Sequence, residues 1–104
     1  MQKNGLEDVW TSVTALDDLS NSVIDLIASG DFEKAQEVCR KLRQQYPDQV
    51  DGIWRLAMVH EARGERTEAA KLYREAADFM RLHEGFDEES IAEIIESARR
   101  MEAS

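Results

Sequence analysis

The sequence predicts an all-α fold of about five helices, built from helical hairpins that repeat and stack with a right-handed sense. Three observations carry this expectation. Ser29-Gly30-Asp31-Phe32-Glu33-Lys34-Ala35 returns thirty-four residues later as Arg63-Gly64-Glu65-Arg66-Thr67-Glu68-Ala69, and self-similarity at that period marks a stacked helix–turn–helix repeat. Apolar residues fall at helical spacing along the chain, and no stretch alternates as a half-buried strand does. There is one proline, and the five glycines cluster near the expected element boundaries.

The first helix is expected from Leu6 to Ala28. Asn4 followed by Glu7 has the form of a capping box, a short polar side chain with a reciprocating acid three residues on. Its apolar residues are Leu6, Val9, Trp10, Val13, Leu16, Leu19, Val23, Leu26 and Ile27. Two courses stay open for it: straight throughout, or kinked near Asp17-Asp18. Gly30 stops it by accepting a left-handed backbone. Asp31 can cap a second helix, roughly 32–46, with Ala35, Val38, Cys39 and Leu42 inside, and Pro47 prevents that helix from continuing. The third runs from about Val50 to Arg63 on a stripe of Ile53, Leu56, Ala57 and His60, ending at Gly64. The fourth begins near Arg66, uses Ala69, Leu72, Tyr73, Ala76 and Phe79, and continues to about Glu84 before Gly85. Asp87 or Ser90 caps the last helix, which carries Ile91, Ile94, Ile95, Ala98 and Met101. Its other face is polar: Glu88, Glu89, Glu93, Glu96, Arg99 and Arg100.

At 104 residues the chain is expected to be one domain with a single modest core. Residues 1–15 form an N-terminal extension, 16–49 and 50–83 the two repeats, and 84–104 a capping helix. The formal charge is −9 and is uneven: residues 1–31 hold six acids and one base, 32–83 are nearly neutral, and 84–104 hold seven acids and two bases. Phosphate binding needs clustered Lys and Arg, so nucleic acid is excluded as a partner, and an anionic membrane surface for the same reason. No stretch approaches the length that spans a bilayer. The N-terminus lacks the apolar core of a signal peptide. Cys39 is the single cysteine, which leaves no intramolecular disulfide and no cysteine-based zinc site. A reducing cytoplasm is the expected location.

The two central hairpins resemble the tetratricopeptide repeat, whose pattern is Trp-x2-Leu-Gly-x2-Tyr, then Ala-x3-Phe, then Pro. The second unit reads Ile53-x2-Leu56-Ala57-x2-His60, then Ala69-x3-Tyr73. The first reads Leu19-x2-Ser22-Val23-x2-Leu26, then Ala35-x3-Cys39, then Pro47. Ser22 and Val23 depart from the large and small residues of the pattern, and Arg81 stands one period after Pro47. The resemblance covers residues 16–83 and implies a concave groove lined by the first helix of each repeat. Transferred by spacing, its residues are Asp17, Ser20, Ile24 and Ile27, then Asp51, Trp54, Met58 and Glu61. Trp54 and Met58, one turn apart, suit an amphipathic helix or a short extended peptide. The protein's own terminal helix is the alternative occupant. Family members that clamp a C-terminal carboxylate use Lys, Arg and Asn in the groove, and the corresponding positions here are acidic, apolar or Ser.

Catalysis finds no support in these residues. Asp17-Asp18 and Glu88-Glu89 are adjacent pairs, which on a helix point about 100° apart and do not converge. His60 and His83 lie in different helices with no partner at metal-ligand spacing. Cys39 occupies a core position and reads as a buried thiol. Neither metal nor cofactor is expected. The leading reading is a protein-binding adaptor. It is similar in size and acidity to the small chaperones of bacterial type III secretion, a likeness of class carried by no residue motif. The alternative is a self-assembling structural protein. Leu6, Val9, Trp10 and Val13 precede the repeats, and burying four such side chains gives roughly 6–12 kcal/mol gross. A homodimer through this stripe is therefore expected, against a kinked segment that folds back on its own first repeat.

Overall fold

The computed structural model describes the backbone of residues 5–83 and 85–103, with side chains from residue 15 onward. The Asn4–Glu7 capping box, the side chains of Leu6, Val9, Trp10 and Val13, and Glu84 lie outside the described residues. Five helices follow one another: α1 (Gly5–Ala28), α2 (Phe32–Gln45), α3 (Asp51–Ala62), α4 (Arg66–Leu82) and α5 (Glu88–Glu102). No strand occurs among the described residues. Each helix packs on the next as adjacent hairpins, and α1 also reaches α3. α1 runs unbroken through the exposed pair Asp17-Asp18.

The thirty-four-residue echo is an echo of turn chemistry. Gly30 and Gly64 both adopt φ +80, a conformation that costs a side chain with a Cβ but not glycine. The Gly30 N–H donates to the Ile27 carbonyl at 3.0 Å and the Asp31 N–H to Leu26 at 2.9 Å. In the second hairpin Gly64 donates to Glu61 at 3.0 Å and Glu65 to His60 at 2.9 Å. This pair of bonds satisfies carbonyls that a helix end would leave open. The next side chain diverges. Asp31 caps α2 by accepting from the Lys34 N–H at 3.4 Å. Glu65 instead turns back, its Oε1 lying 2.7 Å from His60 Nδ1 and 3.4 Å from Arg63 Nε.

α4 stops at Leu82, short of the expected Glu84. The Phe79 carbonyl accepts from both the His83 backbone N–H at 3.1 Å and the His83 ring Nδ1–H at 2.8 Å. The ring stacks on Phe79 with centroids 3.9 Å apart. His83 itself is extended, at φ −112 and ψ 142, so the helical path ends there. Asp87 caps α5, accepting the Ser90 N–H at 2.8 Å, and that bond holds its carboxyl below the usual range.

Among the described residues, two apolar clusters form the core. Val23, Ala35, Cys39, Leu42 and Val59 form one, with Leu16, Leu19, Leu26 and Leu56 packed on it. Ile53, Ala57, Ala69, Tyr73, Ala76, Met80, Ile94, Ala98 and Met101 belong to the other. α3 feeds both, because it lies between α2 and α4. That is why Val59 is buried beside the expected stripe. α4 likewise buries Ala70, Ala77 and Met80 as well as its stripe, while Leu72 and Phe79 are only half covered. A fully buried Leu such as Leu42 contributes about 1.5–3 kcal/mol. On α5, Ile94 is buried against α4, whereas Ile91 and Ile95 are only partly covered.

α3 meets α2 at Gly52. A Cβ there would collide with Arg43 Cγ and come within 3.0 Å of the Arg43 backbone nitrogen. The absent side chain therefore sets how closely the first hairpin and the second approach.

Candidate functional site

Val50, the N-cap of α3, and Trp54, Met58 and Glu61 within it are spaced four, four and three residues apart, which puts them along one side of the helix. Two hollows open along that face. The first, about 430 Å³, is lined by Ile27 of α1, by Trp54, Met58, Glu61 and Ala62, and by Tyr73 of α4. The second, about 210 Å³, is lined by Val50, Trp54, Met80 and Phe86, with Ser90, Glu93 and Ile94 of α5. Trp54 borders both and also packs against the second apolar cluster.

Polar contacts fix the walls. Arg55 lies over the Trp54 ring, its guanidinium carbon 4.3 Å from the centroid, a favourable cation–π placement. Its Nε donates to Ser20 Oγ at 2.8 Å, and one terminal nitrogen lies 3.3 Å from Met58 Sδ. Ser20 in turn donates to Asp51 Oδ2 at 2.7 Å. Burial lowers the Arg55 pKa, and Asp51 opposes that shift. Within the larger hollow the Tyr73 hydroxyl also donates to Glu61 Oε1 at 2.6 Å. Burial first, and then Glu61, push the Tyr73 pKa well above its ordinary value. Tyr73 therefore remains a neutral donor and brings no positive charge to Glu61.

Ile27, Trp54, Met58 and Glu61, which the resemblance placed in a groove, come together at the larger hollow. Ser20 requires a correction: it is 3 % exposed and lines neither hollow. α1 packs on α3 at that point, so its hydroxyl is enclosed between Asp51 and Arg55. Ile24, 40 % exposed, and Asp17, also exposed, lie outside both hollows. Sequence reasoning missed Ala62, Arg55 and every lining residue of the second hollow except Trp54. It also assigned Tyr73 only to the core. The signal for Tyr73 was available, since a buried phenol usually finds a partner for its hydroxyl. Phe86 and Glu93 carried none, because their place depends on how α5 returns across α4.

His60 is partly buried with its ring against Glu65. Among the described residues, no three His, Cys, Asp or Glu side chains gather as a metal-binding group. No helix among them is long and apolar enough to cross a membrane.

A family model for the tetratricopeptide repeat matches residues 26–81, more than half of the chain. The match runs from the end of α1 through α2 and α3 to the last turn of α4. No curated protein and no solved structure matches the chain.

Proposed function

The chain belongs to the tetratricopeptide repeat family, and from that premise we propose that it is a small cytoplasmic protein-binding adaptor or chaperone-like module. It holds a peptide or helix of a partner protein in its groove, against Trp54, Met58 and Glu61, with Ile27 on the facing wall. The family is generally a protein–protein interaction module and is typically non-catalytic. The observation that supports this reading best is the open hollow of about 430 Å³ along α3, mostly apolar apart from Glu61 and the Tyr73 hydroxyl. Concave, mostly apolar sites with a few placed polar groups are the usual form of a binding site.

Capture from native cell extract, followed by titration of the identified partner, tests it with Trp54→Ala as the control. The variant should bind at least about tenfold more weakly, as expected of an aromatic anchor, while keeping its helical circular dichroism. Equal binding by both proteins, or unfolding of the variant, would defeat this reading.

A self-assembly role has its own support. α1 has 24 residues and α2 has 14, or about 36 Å against about 21 Å of helix. The N-terminal half of α1, with Leu6, Val9, Trp10 and Val13, therefore outreaches its hairpin partner, and a second copy can pair with it about a twofold axis. Changing Trp10 and Val13 to serine should halve the mass seen by light scattering. A wild-type mass of 11.9 kDa at high micromolar concentration would rule the dimer out.

A further inference from the structure

We propose that the occupant of the groove is a basic amphipathic segment of a protein partner. It places one bulky apolar side chain in each hollow, on either side of Trp54, and a Lys or Arg beside each hollow's carboxylate. This rests on the groove reading above and specifies its chemistry.

The charge pattern carries the inference. Each hollow contains one charged side chain, and in each it is a carboxylate: Glu61 in the larger and Glu93 in the smaller. The remaining lining is apolar or hydroxyl-bearing. Among the described residues, no Lys or Arg stands within ion-pair distance of either acid. Arg55, which lies over the Trp54 ring, is already engaged with Ser20. The Tyr73 hydroxyl donates to Glu61 and brings no positive charge.

A neutral or acidic segment laid over these hollows would cover both carboxylates and leave them without a counter-charge, which is costly. A Lys or Arg side chain removes that cost. Its methylene stem can lie on the apolar lining while its head reaches the acid. The net charge of −9 favours the same class of partner at long range. It disfavours a second copy of this chain as occupant. Residues 1–15, which hold the apolar Leu6, Val9, Trp10 and Val13, offer Lys3 against Glu7 and Asp8.

The test uses two synthetic amphipathic helical peptides with identical Phe and Leu anchors, flanked by lysines in one and glutamates in the other. Binding to the full chain is measured by calorimetry at low and high salt. The lysine peptide should bind at least about tenfold more tightly, and the difference should shrink as salt rises. Glu61→Gln and Glu93→Gln should each weaken it about three- to tenfold, with helicity unchanged. Glu61→Gln keeps an acceptor for Tyr73, and Glu93 is exposed, so both variants should fold. If both peptides bind equally and both lose binding in Trp54→Ala, the charge assignment is overturned while the groove reading stands. If lysine-peptide binding survives Trp54→Ala, the peptide sits elsewhere and the proposal fails. If neither peptide binds and Trp54→Ala halves the mass in light scattering, the occupant is a second copy and the proposal also fails.

Discussion

In the first hairpin Val23 stands where the second has Ala57, Cys39 where it has Tyr73, and Leu42 where it has Ala76. All six are buried. One hairpin spreads its bulk over three middle-sized side chains, and the other concentrates it in one ring flanked by alanines. Cores tolerate such redistribution when total volume is kept. The difference teaches what the period constrains. It holds the turn glycines and the helix spacing constant while side-chain volume is balanced inside each hairpin. The redistribution also reaches the larger hollow, where Tyr73 sends its hydroxyl from the core of the second hairpin to the Glu61 carboxylate.

The largest test of this comparison moves residues across the period. Tyr73→Cys alone should cost about 3–5 kcal/mol, as other aromatic truncations in cores do. Adding Ala57→Val and Ala76→Leu, which completes the first hairpin's set, should recover about 1–2 kcal/mol through coupling among neighbours. Urea unfolding midpoints measure both. A triple variant no more stable than Tyr73→Cys would mean that volume is not balanced within the hairpin.

A second test concerns a close contact that the hairpins do not share in kind. Gly52 is buried against Arg43, and its counterpart one period earlier, Asp18, is exposed. Alanine is the better helix former by about 1 kcal/mol, yet Gly52→Ala should lose about 1–3 kcal/mol through overpacking. Asp18→Ala should stay within about 0.5 kcal/mol. Thermal denaturation followed by circular dichroism gives the sign. A stabilised Gly52→Ala would show that α2 and α3 can separate freely.

The smallest test compares the two turns. Asp31→Ala removes a helix cap and should cost about 1 kcal/mol. Glu65→Ala removes only a partly exposed contact to His60 and Arg63, worth about 0.2–1 kcal/mol. Paired melting curves should rank them in that order, and the reverse order would make the His60 contact the stronger lock.

Most of the fold was legible because its determinants are local. Gly30, Gly64 and Pro47 mark their boundaries by backbone chemistry that needs no distant partner. The end of α4 was read too far, since the stop there is a ring stacked on its own helix and not a glycine or proline. The larger hollow was partly legible, because Trp54, Met58 and Glu61 share a helix face that spacing alone defines. Ser20 was misassigned for the complementary reason. Spacing gives the direction of a side chain but not what lies in front of it, and α3 lies in front of Ser20. Arg55 and Glu93 could not be found that way, since their places depend on contacts between elements far apart in sequence.

Cys39 is the chain's one thiol, 1 % exposed, and burial pushes its pKa up to about 12 against the pull of Arg55 and Arg43. Alkylating reagents attack the thiolate, a form scarcely present at neutral pH while α2 is seated. Labelling must therefore wait for excursions in which the first hairpin opens locally. Its rate counts those excursions, and the second hairpin, which has no thiol, contributes nothing directly to the count. The molecule carries a chemical clock for one of its halves, readable by mass spectrometry without any introduced probe.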